Sequence, residues 1–582
     1  MGLPGVRVRL ILRPVVKKLP LVLAVFVLTG AVYLNSIGND FNLDDTAIIR
    51  DNPLVQHLSN LPRILKSNYW ANTPYADTVL LYRPLPVASF ACEYALWGSR
   101  PAGYHVINLL LNAAVAALLF LLLVRLFAHQ VPLVGLAVAA LGFGWHPVHT
   151  EAVNLVVGRT ELLAAFFGLL TLLCHLNSTA PPVRPPPTPP NPAATPVIRP
   201  AAASALWSTA GYLCFFLALL SKEIAVTIPA LLLLYEWLLA RHVRWRRLFG
   251  YAGILAAYLA LRLAVLRGFV ASNQTGILAQ QDVFHRLLTV FKVAGYYLKL
   301  LLAPWPLTPD YSDVPLPRSL MDWQVAVPLA ATVALLVLAW KWRHTHPAPA
   351  LAILWFFVAL LPISNVVSIG AFAGERFLYL PSVSLALLLA GLLAHVQAPR
   401  RRGLLLSGAA LATLAFGVMT WQRNYDWKDA PTLWTKVLRH QPENPRANFQ
   451  LAVVAETAKD DARALELYQK AIHYYPDHNW NPDRKTVAMV KERLSNLCYD
   501  QSLRLYKAGQ FAAASDRCRQ ALDFNANHAR AWVILGNLHI QNEEYGPAAE
   551  CYQSALKLDP QQFEAAENLK RLKAFLASPA TP

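Results

Sequence analysis

Charge is scarce in this chain. Only 15% of its 582 residues are Asp, Glu, Lys or Arg, while 55% are hydrophobic; a soluble protein carries about a quarter charged residues. The deficit excludes an ordinary soluble globule. It is also uneven, because residues 20–421 hold long apolar runs and 422–582 read as a polar helical region. Cysteine is sparse as well. The six cysteines form no Cys-x-x-Cys, which excludes a disulfide framework or a zinc ribbon. Cys92, Cys174 and Cys214 fall in or beside apolar segments, Cys498, Cys518 and Cys551 in the polar region, and all six read as buried thiols. A basic stripe interleaved with aromatics is missing too, so the net charge of +18 does not indicate nucleic acid as a partner.

What is present is a series of apolar windows of membrane-spanning length, at about 20–36, 104–127, 131–147, 155–175, 204–220, 224–240, 248–267, 324–340, 348–367, 377–396 and 403–421. Arg7, Arg9, Arg13, Lys17 and Lys18 precede the first, which places the N-terminus in the cytoplasm and marks that window as a retained span. Basic clusters at Arg241–Arg247, Lys341–His346 and Arg400–Arg402 are cytoplasmic by the same rule. Residues 285–303 look apolar enough to span, but crossing there would put Lys341 and Arg400 outside. His285, Lys292 and Lys299 recur every seven residues and so share a helical face. This segment reads as a helix lying in the interface. Eleven spans remain, and residues after 421 emerge on the non-cytoplasmic side.

Residues 178–203 are rich in proline, which favours extended polyproline conformations and cannot pack a core. They read as a cytoplasmic linker. The sequon Asn177-Ser178-Thr179 is then out of reach of glycosylation, and Asn273-Gln274-Thr275 is external. The tail repeats with a period of 34 residues, the period of tetratricopeptide repeats. Trp532, Leu535, Gly536, Tyr545, Ala548, Tyr552, Ala555 and Pro560 fall at that motif's spacing, with His539 departing from the usual tyrosine. Phe511, Ala514 and Ala521 form an earlier copy, Ala464, Tyr468, Ala471 and Pro476 another, and Trp434, Val437 and Pro442 a half repeat. Stacked helix pairs of this kind present a concave surface for a protein or peptide. The expected fold is therefore all-α: a polytopic membrane helical bundle of about eleven spans over 1–427, with a first external loop at 37–103, and a soluble α-solenoid of tetratricopeptide repeats over 428–577.

Candidate chemistry crowds the external rim. Asp44-Asp45 follows the first span closely, where a carboxylate can deprotonate an acceptor hydroxyl beside a lipid headgroup; the alternative is a cap on a helix starting near Thr46. Arg83, Arg159, Lys222 and Arg376 sit near external span ends, and cations at that depth pair with anionic headgroups or with the nearby Glu161, Glu223 and Glu375. His146-Pro147-Val148-His149-Thr150-Glu151 fits no standard zinc helix and reads as hydrogen bonding to acceptor or headgroup. Tyr311 and Asp313 are weaker candidates for sugar contacts.

Asp44–Pro53, Tyr82-Arg-Pro-Leu85, Gly103–Asn108, His146–Ala152, Val157–Glu161, Ser221-Lys-Glu223 and Glu375–Ser382 occur in that order. Together with the repeats they resemble the transmembrane and tetratricopeptide repeat-containing family, whose members look like C-type glycosyltransferases. The resemblance implies transfer of a sugar, mannose or another hexose, from a polyprenyl-phosphate donor to a hydroxyl of a protein acceptor. It implies Asp44 as general base with Asp45 beside it, and a donor phosphate held by Arg376, Lys222, Arg83 and Arg159. It further implies substrate contacts from His146, His149, Glu151, Glu223, Glu375 and Tyr311, and no required cofactor or metal. The expected location is a bacterial cytoplasmic membrane with the repeats outside, or an endoplasmic reticulum membrane with the repeats in the lumen. Two other classes fit the pattern less well: a membrane scaffold built on the repeats, and a lipid-linked sugar transporter, for which the paired repeats or broken midplane helices are not evident.

The span assignment is tested by alkaline phosphatase fusions. Fusions after residue 425 are expected to be active and those near 190, 245 or 401 inactive; activity at 245 contradicts eleven spans.

Overall fold

The computed structural model describes residues 18–76, 79–178, 201–268, 281–311, 314–366, 372–475 and 484–577. The basic residues Arg7 to Lys17, the prolines at 181–192, the sequon at 273–275, Asp313 and Pro476 lie outside them. All regular structure among the described residues is helical. The chain divides into two compact units, one of Met1–Tyr311 with Pro315–Leu433 and one of Ser312–Val314 with Trp434–Pro582.

In the first unit, nine helices among the described residues are long and apolar enough to cross a membrane, and two shorter apolar ones, Leu133–Gly144 and Pro347–Ile363, complete a set that coincides with the eleven windows. This is a multi-pass membrane protein. The helices that position the site are α1 (Leu19–Ala31), α2 (Pro84–Trp97), α3 (Pro101–Phe127), α4 (Leu133–Gly144), α5 (Arg159–Ser178), α6 (Ala201–Leu219), α7 (Ile228–Tyr235), α8 (Trp245–Leu266), α9 (Val283–Leu302), α10 (Trp323–Trp342), α11 (Pro347–Leu360), α12 (Val383–His395) and α13 (Pro399–Asn424). Small residues set the packing. A Cβ on Gly144 would come within 2.7 Å of Thr29, and one on Gly391 within 2.9 Å of Pro349.

Helix α9 is amphipathic. It buries Leu288, Val293, Tyr297, Leu300 and Leu301 against α10 and turns Val283, Phe284, Leu287 and Leu302 outward, an apolar face suited to lipid. Its charges do not share one environment. Lys292 is buried and donates to the Pro315 carbonyl at 2.6 Å, whereas Lys299 is exposed beside the Tyr296 ring.

The end of α5 meets the start of α6, the two helices that flank the proline-rich segment. The Ser204 hydroxyl donates to the Ser178 carbonyl at 2.7 Å, and Arg247 donates to both residues. Because α5 and α6 pack side by side, the segment joins two ends already held together.

The second unit is built from antiparallel pairs, Pro445–Thr457 with Asp461–Tyr474, Arg484–Lys507 with Phe511–Phe524, and Ala529–Gln541 with Tyr545–Leu558, followed by Phe563–Ala577. Ala464, Ala471, Ala514, Ala521, Ala548 and Ala555 are fully buried, so their missing bulk lets paired helices approach. A Cβ on Gly536 would meet the Tyr552 ring at 2.6 Å. Among the cysteines, Cys174, Cys498, Cys518 and Cys551 are buried, while Cys214 is half-buried and Cys92 exposed; the sequence reading misses Cys92.

Excision tests the proline-rich segment. Replacing residues 180–200 with about four Gly and Ser residues bridges ends this close and is expected to leave the melting temperature in detergent unchanged. A large fall would show that the segment contributes to packing.

Candidate active site

The loop of residues 37–103 is pinned from within. Its residues Phe41, Ile48, Ile49, Leu54, Val55, Ile64 and Tyr69 form one apolar cluster with Phe90, Tyr104 and Leu155–Val157. Four buried or half-buried asparagines lock its start. The Asn424 amide donates to the Val32 carbonyl and to Asn35, Asn154 donates to Asn424, and Asn39 donates to Asn154 and to the Asn424 carbonyl. The end of α1, the loop and the end of α13 are thus one hydrogen-bonded unit.

The two adjacent aspartates face different ways. Asp45 is completely buried, and burial pushes its carboxyl up to about 7 against the hydrogen bonds it accepts from the backbone. Asp44 is half-buried. Its carboxylate makes no hydrogen bond or ion pair among the described residues, and its charge acts on Arg376 and Tyr69.

Three of the four cations expected at the phosphate converge. Arg83 opens α2, Lys222 lies between α6 and α7, and Arg376 precedes α12. Chain alternation brings all three to the same end of the bundle as Asp44. Lys222 lies 5.0 Å and the Arg376 guanidinium 5.1 Å from the Phe377 ring centroid, and Arg83 stands 5.4 Å from that of Tyr69. Burial first, then Arg83 and Arg376, push the Lys222 ammonium down to about 8 against the pull of Glu161.

Each cation is held by an acid distant in sequence. Glu223 binds Arg83 at 2.7 Å and Arg262 at 3.2 Å. Glu161 binds Lys222. Glu151 takes the Arg376 guanidinium and, at 2.9 Å, the Arg376 backbone N–H. Glu375 pairs not with its neighbour but with Arg423, at 2.8 Å, and accepts from the Tyr311 hydroxyl at 3.0 Å.

Other expected residues are placed differently. Arg159 is fully buried and turned inward, ion-paired with Glu93, donating to Asn108 at 2.8 Å and to the Tyr104 carbonyl at 3.0 Å. His146 and His149 are fully buried, the first against the Leu301 carbonyl at 3.0 Å and the second against the Ser382 hydroxyl at 2.9 Å. Burial pushes the His149 imidazole well below its usual value. Among the described residues no group of three or more His, Cys, Asp or Glu side chains is placed to hold a metal.

Sequence reasoning misses Tyr69, Arg262, Phe377 and Arg423. Arg262 had a signal, a lone arginine inside an apolar helix. Arg423 was hidden by its position at the end of the last span, where a long cationic side chain ordinarily snorkels to the interface.

A tetratricopeptide-repeat family model matches residues 422–479 and 499–563. The human protein named Protein O-mannosyl-transferase TMTC3 is 25% identical, over 94% of this chain and 65% of its own. The Caenorhabditis elegans Protein O-mannosyl-transferase F38B6.6 is 26% identical, over 77% of this chain and 61% of its own. The chain resembles the TMTC proteins. It spans just under two thirds of the length of these TMTC relatives, and the likeness runs through both the membrane unit and the repeats. Among solved structures, ArnT from Cupriavidus metallidurans bound to undecaprenyl phosphate aligns over 93% of this chain and 80% of its own, at 13% identity and a TM-score of 0.33.

The buried pair Lys222–Glu161 is the sharpest test of this geometry. Removing one partner strands a buried charge, which costs about 3–5 kcal/mol, whereas replacing both by apolar groups of similar volume is often neutral. Glu161→Gln is expected to lower the melting temperature in detergent strongly, and Lys222→Met with Glu161→Met to recover most of it. Equal losses in the single and double variants would contradict the pairing.

Proposed function

We propose that the chain is a glycosyltransferase that moves a sugar from a polyprenyl-phosphate donor to a hydroxyl of a protein acceptor on the non-cytoplasmic side of the membrane. The observation that carries this reading is a half-buried, unbonded Asp44 beside a cluster of cations at one end of a membrane bundle. The names of the TMTC relatives make mannose the favoured sugar.

In this reading Asp44 accepts the proton of the acceptor hydroxyl as its oxygen attacks the sugar carbon. The bond from that carbon to the phosphate oxygen breaks, and the lipid phosphate leaves as a stable anion with inversion at carbon. One base suffices because the leaving group needs no proton. Arg376 and Arg83, which keep some exposure to solvent, at 28% and 15% of the side chain, supply fixed positive charge where the phosphate develops its own. The carboxylates of Glu151 and Glu223 hold those guanidiniums in place before the donor arrives. His146 and His149, buried behind this rim, support the fold of the segment that carries Glu151. The repeats bind the acceptor polypeptide and raise its effective concentration, to about millimolar for a short connection.

Two variants test the reading. Asp44→Asn is expected to fold and to lose about 10²- to 10⁴-fold in turnover; normal turnover would reject Asp44 as the base. Deletion of residues 444–582 is expected to spare donor hydrolysis by water and abolish transfer to the full-length acceptor. Unchanged transfer would assign the repeats to another partner.

A further inference from the structure

Asp45 accepts three backbone hydrogen bonds, from Val157 at 2.8 Å, Val156 at 3.1 Å and Asn42 at 3.2 Å. The Asp45 backbone N–H donates to the Asn42 carbonyl at 2.9 Å. The Asn42–Asp45 turn is therefore closed twice, once by backbone and once by side chain. The closure holds Leu43 at φ +49°, a left-handed conformation that a bulky residue adopts only when its surroundings impose it. Asp44 is the next residue, displayed by a turn that Asp45 ties down.

The other two bonds run across the fold. Val156 and Val157 lead directly into α5, whose first turn carries Glu161, the partner of Lys222. The Asp45 carboxylate thus joins the loop bearing Asp44 to the helix that fixes one cation of the cluster. No part of Asp45 is open to a substrate, since its solvent exposure is 0%.

We propose that Asp45 is a positioning residue, which sets the place of Asp44 relative to the cations and takes no proton from the acceptor. This rests on the reading of Asp44 as the base. The two aspartates, adjacent and chemically identical, then have separate roles decided by what their oxygens touch.

The test is the pH dependence of kcat for the full chain, with polyprenyl-phosphate mannose as donor and an acceptor polypeptide in excess, in the native protein and three variants. Asp44→Asn is expected to lose the acidic limb of the profile together with most turnover. Asp45→Asn is expected to lose about ten- to a hundredfold in kcat, the scale of a misplacement near 1 Å, with an acidic limb still present and the donor KM unchanged. Leu43→Gly combined with Asp45→Asn gives the turn a residue that adopts positive φ freely, and is expected to recover part of the lost kcat. A missing base cannot be recovered in this way. If Asp45→Asn does not fold alone, the double variant decides: folded and partly active supports positioning, folded and inactive overturns it. Native kcat in Asp45→Asn, or loss of the limb in Asp45→Asn with its retention in Asp44→Asn, also overturns the proposal. Native turnover in Asp44→Asn would instead remove the assignment of the base, a separate failure.

Discussion

A lysine or arginine at the end of a membrane helix bundle must find an anion, because leaving it unpaired away from water costs more than most single interactions return. In this protein every cation of the rim described above finds one, and never the acid next to it in sequence. Lys222 reaches Glu161, Arg376 reaches Glu151, Arg423 reaches Glu375, and Arg83 and Arg262 share Glu223. These crossed pairs stitch the loop of residues 37–103 and the ends of α5, α8 and α13 to the short segments before α7 and α12. The rest of the site depends on them. They hold positive charge together and, with the asparagine network at the start of the loop, close one end of the bundle.

The arrangement also separates support from chemistry. Glu161 and Glu151 are almost fully buried and serve as fixed counter-charges to Lys222 and Arg376. Among the described residues Asp44 has no such partner, which leaves its oxygens available. Arg159 shows the opposite outcome for a residue of the same type as Arg83. With four of its five N–H donors engaged by Glu93, Asn108, Ser89 and the Tyr104 carbonyl, it fastens α2 and α3 to α5 and is fully buried.

Much of the architecture was legible in the sequence because it follows from length and period. A membrane-spanning helix needs about 20 apolar residues, and the 34-residue recurrence of small and aromatic residues specifies stacked helix pairs. The pairing of charges was not legible. Residues two apart on a helix do not face each other, so Arg159 cannot use Glu161, and Lys222, in extended backbone before Glu223, reaches Glu161 instead. Their true partners depend on which helix ends meet in space. The division of Asp44 from Asp45 was hidden for the same reason, since it rests on the N–H groups of Val156 and Val157, more than a hundred residues away. Lys292 departed from its expected environment because a long side chain can turn inward and cap a carbonyl, here that of Pro315, without altering the helix that carries it.

The central claim is sugar transfer from a lipid phosphate. Its most direct test is to incubate the purified protein with polyprenyl-phosphate mannose labelled in the sugar, with and without an acceptor polypeptide, and to measure free lipid phosphate together with the anomeric configuration of the product. The account requires acceptor-dependent release of lipid phosphate and a product inverted relative to the donor. A retained configuration would contradict the single-displacement role of Asp44. The absence of release with every polyprenyl-phosphate sugar tested would contradict the activity itself.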